Sequence, residues 1–292
     1  MTWMNELFGT EKPIIAMLHL DALPGDPAFR KEDTMDRVVA HAREDLRALQ
    51  DGGVDGILFS NEFSLPYRRQ MQMITPAAMA YVIGELKEEI RLPFGVDCIS
   101  DGLATIELAA AVEADFIRGT FCGCYVGDGG FYNNDYAKLL RRKAALGLDD
   151  LKMFYFLNPE SDMSLDTRPL PDVAESLVYA VRPDALCISA NAAGADVNEV
   201  VMARVKAAVG DSAAVVCNTG CRPDTIKAKL SHSDAAVVGT TFKKDGKFEN
   251  HVEQARVEAF MAVVREFRAE RKRTAAEPAA NRNAELQKGV AK

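Results

Sequence analysis

No apolar run in the sequence approaches the roughly 18–20 residues that a bilayer-spanning helix requires. The opening stretch, MTWMNELFGTEKP, has neither the basic start nor the apolar centre of a secretory signal. A transmembrane segment is therefore not expected, and a cytoplasmic location is. Basic excess is missing as well. A formal net charge of −8 argues against nucleic-acid binding, which draws on a positive face, and gives no footing on an anionic membrane. The six cysteines form no regular framework, and Cys98, Cys187 and Cys217 lie in apolar, strand-like stretches. Reduced, buried thiols fit that placement. Cys122 and Cys124 make a C-x-C pair with no second pair at zinc-site spacing, so a structural zinc is not expected. After the first apolar run, where a dinucleotide-binding sheet carries G-x-G-x-x-G, His19-Leu20-Asp21 stands instead. That weighs against an open doubly wound sheet.

What is present is a regular alternation. The chain has 292 residues, 48% of them hydrophobic and 27% charged, which supplies a large core. Pro13–Leu18 is apolar throughout, as suits a central parallel strand, and a helix follows from near Asp33 or Thr34 to Gly52-Gly53. The same strand–helix unit recurs with strands at Val54–Phe59, Pro93–Ile99, Phe116–Gly119, Lys152–Leu157, Ala185–Ser189, Ala213–Cys217 and Ala235–Val238. About eight such units predict a single (β/α)8 barrel, residues 1–271, ending in an amphipathic helix. Residues 272–292, rich in Ala, Asn and charge, read as a flexible or helical tail. Two connections are long: the Gly-rich TFCGCYVGDGGFYNND after the fourth strand and NPESDMSLDTRPL after the fifth. The first reads as a lid.

In a barrel of this kind, function sits where the strands end. His19, Asn61, Glu62, Asp97, Arg118, Asn158, Ser189, Asn191, Asn218, Thr240 and Lys243 fall there. His19, one of four histidines, ends an apolar strand and is an acid–base candidate, or else a hydrogen-bonded core residue. Glu62 is a candidate general base, or a solvated loop charge. Asp97 lies within an apolar strand, where burial of a carboxylate is costly without a partner. It carries chemistry or pairs with Arg118, which in turn could clamp an anion. The loops after the last two strands are the usual seat of a phosphate group. They hold Asn218, Thr219 and Gly220 in one turn and Gly239, Thr240 and Lys243 in the other, with Asn191 after the sixth strand as a further lining residue. Asp128 could join Asp97 and Glu62 around a divalent metal, although the set is scattered. No cofactor is otherwise required.

The runs IIAMLHLDALPGDP, GGVDGILFSNEFSLPY, FIRG and VVGTTFKKDGKFENHVEQARVEAFM together resemble the BtpA/SgcQ family, over roughly Lys12 to Val264. The resemblance implies a barrel akin to the ribulose-phosphate-binding barrels. It links the chain to proteins associated with photosystem I assembly or with sugar-utilisation gene clusters. It carries over to His19, Pro24, Gly25, Glu62, Pro66, Arg118, Gly239, Thr240 and Lys243. The middle departs: VDCISDG stands for an N-x-L-x-N-D type strand, NPESDMSLDTRP lacks a Lys-His pair, and NTGCRPDT replaces a Ser-Gly-Val type turn. A divergent branch is implied.

Two functions follow as expectations. The first is an isomerase, epimerase or aldolase-type lyase acting on a phosphorylated sugar or related metabolite, in a homo-oligomeric assembly. His19, Glu62 or Asp97 would move protons and Arg118 would stabilise an oxyanion. The second is a non-catalytic assembly or regulatory factor on the same barrel, of the kind that serves photosystem I or another membrane complex.

Overall fold

A computed structural model of the chain describes residues 2–160, 162–190 and 195–289, the side chains as far as Thr274. A short helix, α1 (Trp3–Phe8), precedes the first strand, β1 (Ile14–His19). Then follow α2 (Met35–Gly52), β2 (Gly56–Ser60), α3 (Ile74–Leu86), β3 (Phe94–Asp97), α4 (Gly102–Val112) and β4 (Phe116–Gly119). The chain next forms β5 (Cys124–Gly127), β6 (Gly130–Asn133), α5 (Tyr136–Ala145), β7 (Lys152–Asn158) and β8 (Asp162–Ser164). It ends with α6 (Leu170–Val181), β9 (Ala185–Ile188), α7 (Glu199–Val209), β10 (Ala214–Cys217), α8 (Ile226–His232), β11 (Ala235–Val238) and α9 (Gln254–Gly289).

Eight parallel strands close on themselves in the order β1-β11-β10-β9-β7-β4-β3-β2, the (β/α)8 barrel that the alternation predicts. The period of two along each strand divides its residues between two cores. Ile14, Ala16 and Leu18 face the helices, whereas Ile15 and Met17 face the barrel interior with Leu58, Phe116, Phe154 and Val216. α1 closes the lower end of that interior. Phe8 meets Phe116 edge-on at 5.6 Å and Trp3 meets Phe154 at 5.9 Å. Gly56 makes room for this plug, since a Cβ there would lie 2.6 Å from the Phe8 ring.

Helix starts follow local chemistry. Thr34 caps α2 through the Arg37 N–H, and Asp101 caps α4 through the N–H groups of Leu103 and Ala104. α9 is tied to the lower rim by Arg268, which donates to Asp55 at 2.5 Å and to the Lys12 carbonyl at 2.9 Å. Its backbone stays helical past residue 271 as far as Gly289. No helix among the described residues is long and apolar enough to cross a membrane.

The two long connections, the first of which reads as a lid, pair with each other in a three-stranded sheet. β5 and β6 form a hairpin turning at Asp128-Gly129, and β8, from the other connection, adds antiparallel to β5. The D-G turn between alternating residues is a hairpin signal. Tyr125 and Tyr132 are buried beneath this small sheet. The Tyr132 hydroxyl donates to the Ser100 carbonyl at 2.9 Å, and the Arg69 guanidinium lies 4.1 Å above its ring. On the other face Val126, Phe131 and Met163 are neighbours across the three strands and exposed.

Candidate active site at the barrel mouth

The inward alternation that places Ile15, Leu58 and Phe116 in the apolar interior reaches polar residues at the top of the barrel. His19 follows Met17 by two, Ser60 follows Leu58, Asp97 follows Gly95, and Arg118 follows Phe116. Ser189 follows Cys187 and Asn218 follows Val216 in the same way. All six are buried, so each must find partners or meet a ligand.

Most find one another. Arg118 donates through Nε to Asp97 Oδ2 and through Nη1 to Asn218 Oδ1, each at 3.0 Å, and its Nη2 lies 3.0 Å from the same Asp97 oxygen in the ion pair. Two of the five guanidinium N–H groups are hydrogen-bonded in this way, which leaves others for a ligand. Asn218 donates to Ser189 Oγ at 3.0 Å and to Glu160 Oε1 at 3.3 Å. One continuous network thus runs from β3 through β4 to the loops after β7, β9 and β10. Asn158 is spent on structure, bridging to the Ser189 backbone at 2.6 and 3.1 Å. Asn61 likewise accepts from the Ile99 N–H at 2.9 Å.

Above the network lies a cavity of about 510 Å³. His19, Glu62, Arg118 and Glu160 line it together with the turns Asn218–Cys221 and Gly239–Thr241, Arg222 and Arg256. Two glycines are required by this geometry. Gly220 has φ +63, and a Cβ there would collide with the Ala195 carbonyl. Gly239 lets the loop after the last strand approach the His19 imidazole, from which a Cβ would stand 3.2 Å away.

The titrating groups are strongly perturbed. Burial pushes His19 down to about 4, overriding the Glu62 carboxylate, so its imidazole is neutral at pH 7. Its Nδ1 is buried without a hydrogen-bond partner among the described residues. Burial raises Asp97 to about 6 against the pull of Arg118, and Asp97 Oδ1 is similarly unpartnered. Glu160 is raised to about 7, chiefly by burial and further by Glu62, with Arg118 opposing. Burial alone would lower Arg118, but Asp97 and Glu62 outweigh it and keep the guanidinium charged. Glu62 accepts from the Ser60 hydroxyl at 3.0 Å, and the Tyr67 hydroxyl donates to its carbonyl at 2.9 Å.

Of the residues expected from sequence, His19, Glu62, Arg118, Asn218, Thr219, Gly220, Gly239 and Thr240 meet in this cavity. Asp97 lies below it as the ion-pair partner of Arg118. Thr219 holds the Ala190 N–H at 2.8 Å. Lys243 does not line the cavity: it is buried, donates to the Asn250 carbonyl at 2.9 Å and faces the rings of Phe63 and Phe248. Asn191 lies outside the described residues. Asp128 sits exposed at the hairpin turn. Among the described residues no three His, Cys, Asp or Glu side chains are grouped so as to hold a metal ion. Glu160, Arg222 and Arg256 escaped the sequence reading. Glu160 stands two residues beyond the end of β7, at a barrel-mouth position, but hidden in a connection rich in carboxylates. A separate crevice of about 400 Å³ opens outside the mouth, beside α2. Its His41 is already paired with Asp21 at 2.6 Å.

A family model described as the BtpA family matches residues 10–266. SgcQ, a protein of the sgc region of Escherichia coli, is 44% identical over 268 residues, covering 92% of this chain and 100% of its own length. The photosystem I biogenesis protein BtpA of Synechocystis is 26% identical, covering 89% of this chain and 91% of its own. Among solved structures, a thiamine phosphate pyrophosphorylase from Pyrococcus furiosus superposes with a TM-score of 0.53 at 15% identity, over 90% of this chain and 98% of that one. At that identity the likeness speaks for the fold alone.

Proposed function

The chain belongs to the BtpA family, and from that premise and the mouth geometry we propose an enzyme that acts on a phosphorylated sugar or related small metabolite. The reaction class is proton transfer beside a carbonyl, as in an isomerase or epimerase, with aldol-type carbon–carbon cleavage as its near relative. One observation carries the reading. A half-buried carboxyl raised to about 7, Glu160, shares one cavity with Glu62, a neutral His19 and the anchored Arg118.

Roles follow from chemistry. Glu160 takes or returns a proton near neutral pH, where a general base works best. Glu62 is a further carboxylate lining the same cavity. His19, neutral, can hydrogen-bond a carbonyl or hydroxyl without bringing a second positive charge. Arg118 offers its remaining N–H groups to the developing oxyanion, and it is preorganised by Asp97 and Asn218. The turns at Gly220 and Gly239–Thr241, after the last two barrel strands, are where the phosphate would rest. Arg256, whose Nε is held by the Thr241 carbonyl at 3.0 Å, supplies local positive charge. A carbinolamine route needs a lysine amine in the cavity, and no lysine is among the described lining residues. Proton transfer is favoured for that reason.

Thermal unfolding against a panel of sugar phosphates tests this. A ligand at a hundred times its Kd adds about 2.7 kcal/mol, several degrees in Tm for a domain of this size. Glu160→Gln should keep the shift and lose turnover. A flat response across the panel would favour a non-catalytic assembly factor. The name of the cyanobacterial relative and the exposed face of Val126, Phe131 and Met163 support that second reading.

A further inference from the structure

We propose that Cys217 and Cys221 form a redox-sensitive dithiol in the turn after the seventh barrel strand, closed to a disulfide by a hydroperoxide entering the mouth. The inference stands whether or not that mouth holds a phosphate. Cys217 ends β10 and Cys221 follows four residues later, where the left-handed Gly220 has reversed the chain. Their sulfurs lie 3.5 Å apart, and the Cys221 thiol is also 3.9 Å from the Cys217 carbonyl. Cys221 forms part of the cavity wall, so a small neutral oxidant in the mouth approaches the pair from the Cys221 side, with Cys217 buried 3.5 Å behind it.

The surroundings divide the two thiols. The Cys221 S–H donates to Cys217, which lowers Cys217 and raises Cys221. The Lys229 ammonium adds to the first effect. Lys229 is buried, and it donates to the Gly220 carbonyl within the same turn and to Asp196 at 2.7 Å. Cys217 is therefore the first to become a thiolate, the reactive form. Elsewhere burial keeps thiols protonated: Cys122 and Cys187 are each pushed up to about 12, and Cys98 is raised as well.

The chemistry balances with hydrogen peroxide as oxidant. The Cys217 thiolate attacks one peroxide oxygen, the O–O bond breaks, and hydroxide leaves as water after taking a proton. The Cys217 sulfenic acid so formed is attacked by Cys221, whose thiol proton accompanies the departing hydroxyl as a second water. The sulfur pair loses two electrons and the peroxide gains them. The sulfur separation must then shorten from 3.5 Å to about 2.05 Å. Asn218, which holds Arg118, and Gly220 lie inside the closed loop, and the Thr241 hydroxyl donates to the Cys221 carbonyl at 2.6 Å. Oxidation thus reshapes the wall of the mouth.

The full chain, treated with hydrogen peroxide and then alkylated in denaturant, gives a direct readout. Cleavage after Lys206 and Lys227 releases both cysteines in one peptide, since Pro223 protects the bond after Arg222. That peptide should lose both alkyl groups and become lighter by two hydrogens, and a reductant should reverse the change. The peptides holding Cys98 and Cys187 should stay alkylated. In Cys221→Ser, dimedone should trap a sulfenic acid at Cys217. Full alkylation of Cys217 and Cys221 after peroxide, with Cys124 oxidised instead, would overturn the proposal. Trapping at Cys221 in Cys217→Ser, with none at Cys217 in Cys221→Ser, would overturn the assigned order of attack.

Discussion

Replacement of His19 by Gln should change how stability depends on pH. His19 falls from 6.5 to about 4 on folding because its ring is buried beside Gly239 and Phe248. With about 1.36 kcal/mol per pKa unit, the imbalance is on the order of 3 kcal/mol. The sign follows from proton binding. Above pH 6.5 the imidazole is neutral in both states and contributes no penalty. As pH falls from 6.5 towards 4, the unfolded chain takes up a proton that the folded chain refuses, and stability is lost. Asp97 and Glu160 run the other way. Their raised values contribute stability below the ordinary carboxylate range that is lost as pH rises through about 6 and about 7. Comparison of variant with wild type separates the terms. Urea unfolding of both proteins at pH 7 and at pH 4 should show the wild type losing about 3 kcal/mol more than His19→Gln. Parallel pH dependences would refute the claim that His19 is held neutral by burial.

Removal of one partner from the buried Arg118–Asp97 pair should be expensive. Asp97→Ala is expected to cost about 3–5 kcal/mol by leaving the guanidinium uncompensated, read by chemical denaturation. Gly220→Ala should lose about 1–3 kcal/mol, because the left-handed backbone and the Ala195 carbonyl both oppose a Cβ, and should weaken ligand-induced thermal shifts. Once a substrate is in hand, Glu160→Gln should lower kcat by about 10²–10⁴-fold and remove the limb of the pH–rate profile near about 7.

Much of the site was legible because strands have a period of two. His19, Asp97, Arg118 and Asn218 each stand two residues beyond an inward-facing strand residue. A chain of eight apolar runs, most of them ending in a polar residue, already describes a barrel with a polar mouth. Glu160, Arg222 and Arg256 belong to connections or to the last helix, where no period says which way a side chain points. Lys243 shows the converse. Its position after the last strand suits an anion ligand, yet its chain turns away to Asn250 and the rings of Phe63 and Phe248.

The small three-stranded sheet shows the same division. The D-G turn and the alternation in CYVGDGGFYN are local signals, but the third strand comes from Asp162–Ser164, more than thirty residues along the chain. By itself, the sequence determined the strand–helix alternation, the barrel, and the polar residue types at the strand ends, because each depends on local periodicity and burial. Only the tertiary structure decided which of those residues share the cavity, that Asp97 serves Arg118 from below, that burial leaves His19 uncharged, and that Cys217 and Cys221 come within 3.5 Å. These depend on closure of the barrel, which brings together side chains from distant strands and removes the water that would otherwise set their charges.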